Sequence, residues 1–156
     1  IVCEKLFVAA KNFHQLAQLP TSQIAKLIYP VGFYKTKAKH LKETAQIISK
    51  KCRGKVPQDL SELIKLPGIG RKTANLVLAR AFSQDAISVD THVHRVANTL
   101  GWVNTTRPEQ TEQELMKIVP KNQWRNINRL LVSIGRQYRS SRQLEKFLEE
   151  NKLIAK

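Results

Sequence analysis

Lys72 and Asp90, eighteen residues apart, are the two side chains whose types and settings point to covalent chemistry. Lys72 lies in LPGIGRKTANLVL, where Pro67, Gly68 and Gly70 break the chain and Arg71, Lys72 and Thr73 open an apolar helix. The positive end of the helix dipole disfavours cations, so two adjacent ones there need a reason. Either they face a polyanion, or one of them does not stay charged. The helix start, neighbouring Arg71 and partial burial would all favour a neutral amine over the ammonium. A neutral amine is a nucleophile able to form a Schiff base with a sugar C1′. The turn alone leaves a second role open, a lysine that binds phosphate.

Asp90 sits at an N-cap position before THVHRVANTL. The helix predicted from Arg71 to Phe82 would be about 18 Å long, and the residues from Ser83 to Val89 could reach ~23 to 25 Å. The chain is therefore long enough to fold back and set Asp90 beside Lys72. A carboxylate there would hold the ammonium charged. That tension is relieved if Asp90 takes the lysine's proton, or stabilises cationic character at the sugar, during reaction. A plain helix cap, worth ~0.5 to 2 kcal/mol, is the other reading of Asp90.

Around these two residues, a short helix, the turn Pro67, Gly68, Ile69, Gly70 and the following helix make a helix-hairpin-helix pattern at about 59–82. Gly68 and Gly70 let backbone approach a ligand closely, and amides at the next helix start can hold a phosphate. Such contacts position DNA without reading its sequence. Arg71, expected to stay charged and face DNA, and Thr73 are the DNA-binding candidates that follow the turn.

Charge supplies the partner class. The chain has 27 Lys and Arg against 12 Asp and Glu, a formal charge of +15. Nucleic acid leads, ahead of an anionic membrane surface or an acidic protein. From Lys35 to Lys72 there are eleven basic residues against Glu43, Asp59 and Glu62, so this third, with Lys35 and Lys37 in it, is the expected polyanion face. The two cysteines, Cys3 and Cys52, have no C-x-x-C spacing, which excludes a disulfide framework and a cysteine-rich metal site and suits a reducing intracellular compartment. His92 and His94 are two apart, which points them to different sides of a helix and away from joint metal binding. No apolar run approaches the ~18 to 20 residues of a membrane span, and nothing resembles a signal peptide. The first residue is Ile1 rather than methionine, as in a fragment, so a leader would not be visible.

Helical periodicity runs through nearly every segment, with no sustained strand alternation. It predicts one helix over EKLFVAAKNFHQLAQL, a short one capped by Thr21 or Ser22, a long basic one from Lys35 to Cys52 ended by Gly54, and one entered through a capping box of Asp59 and Glu62. Beyond the Asp90 helix, Thr106 and Glu109 predict another capping box. A helix from about Asn122 to Gln137 follows, with Trp124, Ile127, Leu131 and Ile134 on one face, and a last helix starts after Ser140. The fold class is all-α, about eight helices.

LPGIGRKTANLVL followed by ISVDTHVHRVANTLGW closely resembles the endonuclease III family of DNA base-excision glycosylases, within the helix-hairpin-helix-GPD superfamily. Turn, lysine and aspartate agree in type and separation, and a weaker match runs through LLVSIGRQ. The resemblance implies two helical subdomains flanking a DNA-binding cleft, here 1–84, containing the hairpin, and 85–156. It implies a monomeric enzyme acting on damaged double-stranded DNA, without a membrane partner. Such an enzyme flips out a damaged, oxidised pyrimidine and cuts its glycosidic bond through a covalent imine. It then breaks the strand by β-elimination. Lys72 falls at the family's catalytic lysine and Asp90 at its essential aspartate. Phe33, in VGFYKTKAKHL, falls where the family wedges a bulky residue into the opened stack. Two departures follow. Arg139 stands where the first cysteine of the family's 4Fe-4S cluster would be, and YRSSRQLEKFLEENKLIAK has no cysteine, so no cofactor is expected and the last helix is expected to close the subdomain instead. The family's further N-terminal helices, with a glutamine that fills the gap left by the flipped base, have no counterpart in this sequence. Abasic-site lyase activity alone, and a noncatalytic helix-hairpin-helix DNA-binding module, are the alternatives; RNA binding rests on charge only.

Overall fold

A computed structural model describes residues 2–151; among these it has ten α-helices, one 3-10 turn and no strand. Residues up to Gly70 form one compact unit and residues from Arg71 onward another. The family resemblance implies a division after residue 84, whereas the compact units part after Gly70. Side-chain bonds explain the difference. Asn75 Nδ2 donates to the Ile87 carbonyl at 3.0 Å and Ser88 Oγ to the Lys72 carbonyl at 2.9 Å, tying the helix from Arg71 to the chain that follows it.

The first unit holds α1 (Val2–Ala9), α2 (Phe13–Gln18), α3 (Thr21–Ile28), α4 (Tyr34–Lys51) and α5 (Leu60–Leu63). Apolar periodicity predicts a single helix where α1 and α2 stand. Asn12 interrupts it, because its backbone is extended and its Oδ1 accepts from the Gln15 amide at 2.9 Å, while Gln15 Oε1 accepts from the Lys11 amide at 2.8 Å. Local capping thus defeats a period that runs straight through. At α3 the cap position is Pro20, and Thr21 is already helical, so neither Thr21 nor Ser22 caps. Along α4, Ala38, Ala45 and Ile48 are buried, and Ala38 joins Leu6, Ile24 and Ile28 in a core against which Leu41 packs. Asp59 caps α5 through the Ser61 and Glu62 amides, but Glu62 does not complete the box; it pairs with Lys65 at 2.6 Å. The Ser61 hydroxyl, then the Glu62 amide, hold the Asp59 carboxyl below its ordinary pKa.

The second unit holds α6 (Arg71–Ala81), α7 (Thr91–Thr99), α8 (Pro108–Ile118), a 3-10 turn (Lys121–Gln123), α9 (Trp124–Gln137) and α10 (Ser141–Glu150). The predicted face of α9 is found: Ile127 and Leu131 are buried with Val93, Val96, Leu115 and Leu144, and Trp124 and Ile134 pack against them. Each fully buried aliphatic side chain in such a core is worth roughly 1.5 to 3 kcal/mol. Of the box predicted from Thr106 and Glu109, only the returning half forms, one residue later, because a guanidinium cannot accept a bond from the helix amides. Arg107 is the cap, and Gln110 Oε1 accepts from the Arg107 and Thr106 amides, both at 3.2 Å. Ser140 caps α10, whose Leu144 and Leu148 are buried.

Candidate functional site

In the first unit, α4 holds the hairpin from beneath. Thr44 Oγ1 donates to the Pro67 carbonyl at 3.0 Å, and the His40 ring lies under Gly68, where an added Cβ would stand 2.6 Å from His40 Nδ1. Gly68 also has φ +76°, so both backbone and space require glycine there. Gly68 and Gly70 are exposed, with Pro67 and Ile69 half-buried, which leaves the turn's backbone open to a ligand.

Phe33 stands at the start of α4, 87% exposed and with a left-handed backbone, φ 57° and ψ 34°. Both features are unfavourable for a bulky aromatic residue, and such outliers cluster at functional positions. Lys37 Nζ donates to the Gly32 carbonyl at 2.7 Å, bracing this turn, while Lys35 is exposed.

In the second unit, α6 turns Ala74, Asn75, Leu78 and Ala79 inward. That leaves Arg71 and Lys72 exposed and Thr73 half-buried; the partial burial anticipated for Lys72 is not found, because its position faces away from the core. Arg71 grips the carboxylate of Glu112 on α8, Nε to Oε2 at 2.9 Å and NH2 to Oε1 at 2.8 Å. These bonds raise the Arg71 pKa above its ordinary value. Glu112 is 7% exposed at its side chain, and a carboxylate so buried needs such a partner.

Chain fold-back is present. Ser88, bonded to the Lys72 carbonyl, is itself held by Asn128 Nδ2 on its own carbonyl at 2.9 Å, which brings the segment leading to Asp90 against the first turn of α6. Asp90 Oδ1 accepts from the His92 and Val93 amides, both at 3.0 Å. Its Oδ2 has no hydrogen-bond partner among the described residues. The cap therefore occupies one oxygen of the carboxylate. Nearby, His94 Nδ1 meets Thr111 Oγ1 at 2.6 Å, and His92 packs on Gly135, so the two histidines have separate surroundings.

Sequence reasoning missed His40, Thr44, Asn75, Ser88 and Glu112. For Asn75 and Ser88 a signal existed, since each is a polar residue set among apolar helix or segment positions, and both are at least 95% buried, whereas Glu112, flanked by Thr111 and Gln113, carried none. For His40 and Thr44, on a long basic helix, nothing local marked them.

Residues 2–121 match the family model for HhH-GPD superfamily base excision DNA repair proteins. The chain belongs to this superfamily. It is 45% identical over 134 residues to Endonuclease III of Thermotoga maritima, covering 86% of this chain and 63% of that one. It is 43% identical over 125 residues to Endonuclease III-like protein 1 of Gallus gallus, covering 78% of this chain and 44% of that one. The structure of a trapped endonuclease III-DNA covalent intermediate is similar with a TM-score of 0.83 at 37% identity, over 88% of this chain and 65% of that one. The chain thus spans less than two thirds of the length of each of these relatives.

A 4Fe-4S cluster requires four thiolates. This sequence supplies two cysteines. Both cysteines lie in the first unit, Cys3 on α1 and Cys52 at the end of α4. The α9 to α10 connection is occupied by a helix cap, with the Arg139 amide on Gln143 Oε1 at 2.9 Å and the Tyr138 ring on Phe147 with centroids 4.8 Å apart.

Proposed function

We propose that this HhH-GPD protein is a DNA glycosylase with abasic-site lyase activity on damaged, oxidised pyrimidines in duplex DNA, with Lys72 as nucleophile. The observation that carries the reading is the bond from Ser88 to the Lys72 carbonyl, which ties the Asp90 segment to the helix turn bearing the lysine. Simple phosphate binding needs no acid at that place. Superfamily membership and the likeness to a protein trapped covalently on DNA support the same reading.

In this mechanism the Lys72 Nζ lone pair attacks C1′, and the bond from C1′ to the base breaks with its electrons leaving on the base, which takes up a proton; the C1′–O4′ bond then opens, O4′ takes up a proton and the nitrogen lone pair closes the C1′=N bond. The resulting imine acidifies the C2′ proton. Loss of that proton expels the 3′ phosphate by β-elimination, and water releases the lysine. Asp90 accepts the ammonium proton or stabilises the cationic sugar. Lys72 is exposed in the free protein, so bound DNA supplies the exclusion of water that strengthens these charge interactions.

The hairpin backbone of Pro67, Gly68, Ile69 and Gly70, with Thr73, Lys35 and Lys37, holds phosphates, and Phe33 wedges into the opened stack. On this reading the protein works beside the genome, in a nucleoid or a nucleus.

Borohydride reduces an imine to a stable amine, so it should link the protein covalently to an abasic duplex, and Lys72→Ala should abolish the adduct. An adduct that persists in Lys72→Ala removes the assignment. Duplexes carrying an oxidised pyrimidine, cut beside plain abasic duplexes, separate base excision from lyase activity alone.

A further inference from the structure

The two cations that open α6 have different surroundings. Lys72 makes no ion pair among the described residues, whereas Arg71 is committed through two parallel hydrogen bonds to Glu112 on α8. Two-point pairing of a guanidinium with a carboxylate fixes orientation as well as distance.

The residue before Glu112 reaches the other way. Thr111 is fully buried, and its hydroxyl meets His94 Nδ1 and Thr105 Oγ1, each at 2.6 Å. His94 lies in the first turn of α7, where its amide donates to the Asp90 carbonyl at 2.9 Å. Asn98 of α7 adds bonds to the Thr105 amide at 2.9 Å and to the His94 carbonyl at 2.8 Å. Adjacent residues of α8 thus hold the first turn of α6 on one side and the first turn of α7 on the other. Those turns carry the proposed nucleophile and the proposed acid.

Resting on the Lys72 reading above, we infer that Glu112 is a positioning residue: by holding Arg71 it fixes the first turn of α6, and with it Lys72, against the Asp90 start of α7. Arg71 then serves the geometry of the reaction rather than DNA affinity. If Arg71 only held a phosphate, removing it would weaken binding and leave the rate at saturating protein unchanged; removing a brace lowers the saturated rate itself.

The test uses the full chain on an abasic duplex, with borohydride trapping followed in single turnover at rising protein concentration. Thermal midpoints are measured first, and all variants are assayed well below the lowest. Glu112→Ala and Arg71→Ala should each lower the saturated trapping rate on the order of tenfold to a hundredfold. The half-saturating concentration should hold. The double variant should be no slower than the slower single one, since the pair acts as one unit. Glu112→Gln, which keeps an acceptor for the Arg71 Nε–H and the shape of the site, should recover part of the rate and covers the case in which the alanine variant does not fold. Glu114→Gln, on the same helix but paired with exposed Lys117, should trap like the parent. An unchanged saturated rate in Glu112→Ala or Glu112→Gln, with Arg71→Ala impairing binding alone, overturns the inference and leaves the Lys72 reading standing. Absence of any adduct from the parent protein overturns both.

Discussion

The two compact units carry similar excess charge on different side chains. Up to Gly70 there are eleven lysines and one arginine; from Arg71 onward there are nine arginines and six lysines. In the first unit most of these cations stand in solvent, among them Lys35, Lys50, Lys51 and Lys55. In the second unit several are built into the structure: Arg71 on Glu112, Arg95 on main-chain carbonyls, Arg125 on Asp85 at 3.5 Å. A compact ammonium on a flexible stem suits a solvated polyanion face, and a planar fork suits fixed acceptors inside a fold. Net charge therefore names a partner class without saying which cations are free to meet it.

The largest effect is expected at Arg95. Its NH2 donates to the carbonyls of Gly135 at 2.9 Å and Tyr138 at 2.6 Å, closing the end of α9. Its NH1 is buried without a partner. If second-unit arginines are structural, Arg95→Ala should cost about 2 to 4 kcal/mol, from two charge-assisted hydrogen bonds and the carbonyls left behind. Arg95→Lys should recover little, since one ammonium cannot reproduce the fork. Lys51→Ala in the first unit should stay within about 0.5 kcal/mol. Urea unfolding followed by tryptophan fluorescence reads the second unit directly, because both tryptophans, Trp102 and Trp124, lie there. Equal effects of Arg95→Ala and Lys51→Ala would dissolve the distinction.

Two glycines draw the same contrast at a smaller scale. A Cβ on Gly135 would meet His92 Cβ at 2.8 Å, and one on Gly68 would meet His40 Nδ1 at 2.6 Å with φ already +76°. Gly135→Ala should lose about 1 to 3 kcal/mol from overpacking, seen in the tryptophan signal. Gly68→Ala should instead show chiefly as weakened DNA binding in a fluorescence anisotropy titration, because it displaces an exposed hairpin. Gly70→Ala, with nothing within 4 Å of its added Cβ, is the neutral control for stability.

These pairings also mark where the sequence stops being readable. The hairpin, the Asp90 cap and the buried stripe of α9 are written within a few residues of one another, so period and turn chemistry disclose them. Arg71 and Glu112 are 41 residues apart, and Asn128 and the Ser88 carbonyl are 40 apart. Only the tertiary fold decides which polar side chains meet across such distances. The break at Asn12 is a different failure. Its cap was locally encoded, with Gln15 three residues on, but the apolar period across it pointed to one helix.

The smallest effect on stability, and the finest test, compares Lys35 with Lys37. Both belong to the expected DNA face and both are exposed, yet only Lys37 is bonded inside the unit, to the Gly32 carbonyl beside Phe33. A lysine that only neutralises a phosphate contributes about 0.9 to the slope of log affinity against log salt on duplex DNA. Lys35→Gln should lower that slope by about this amount, weaken all sequences alike and leave stability within about 0.5 kcal/mol. Lys37→Gln removes a charge and also releases the turn that holds Phe33 out. It should therefore reduce the adduct rate on lesion-containing duplex more than on a plain abasic site, where there is no base to extrude. Matching behaviour of the two variants on both substrates would mean that Lys37, like Lys35, supplies charge alone, and that bracing of the Phe33 turn has no part in opening the stack.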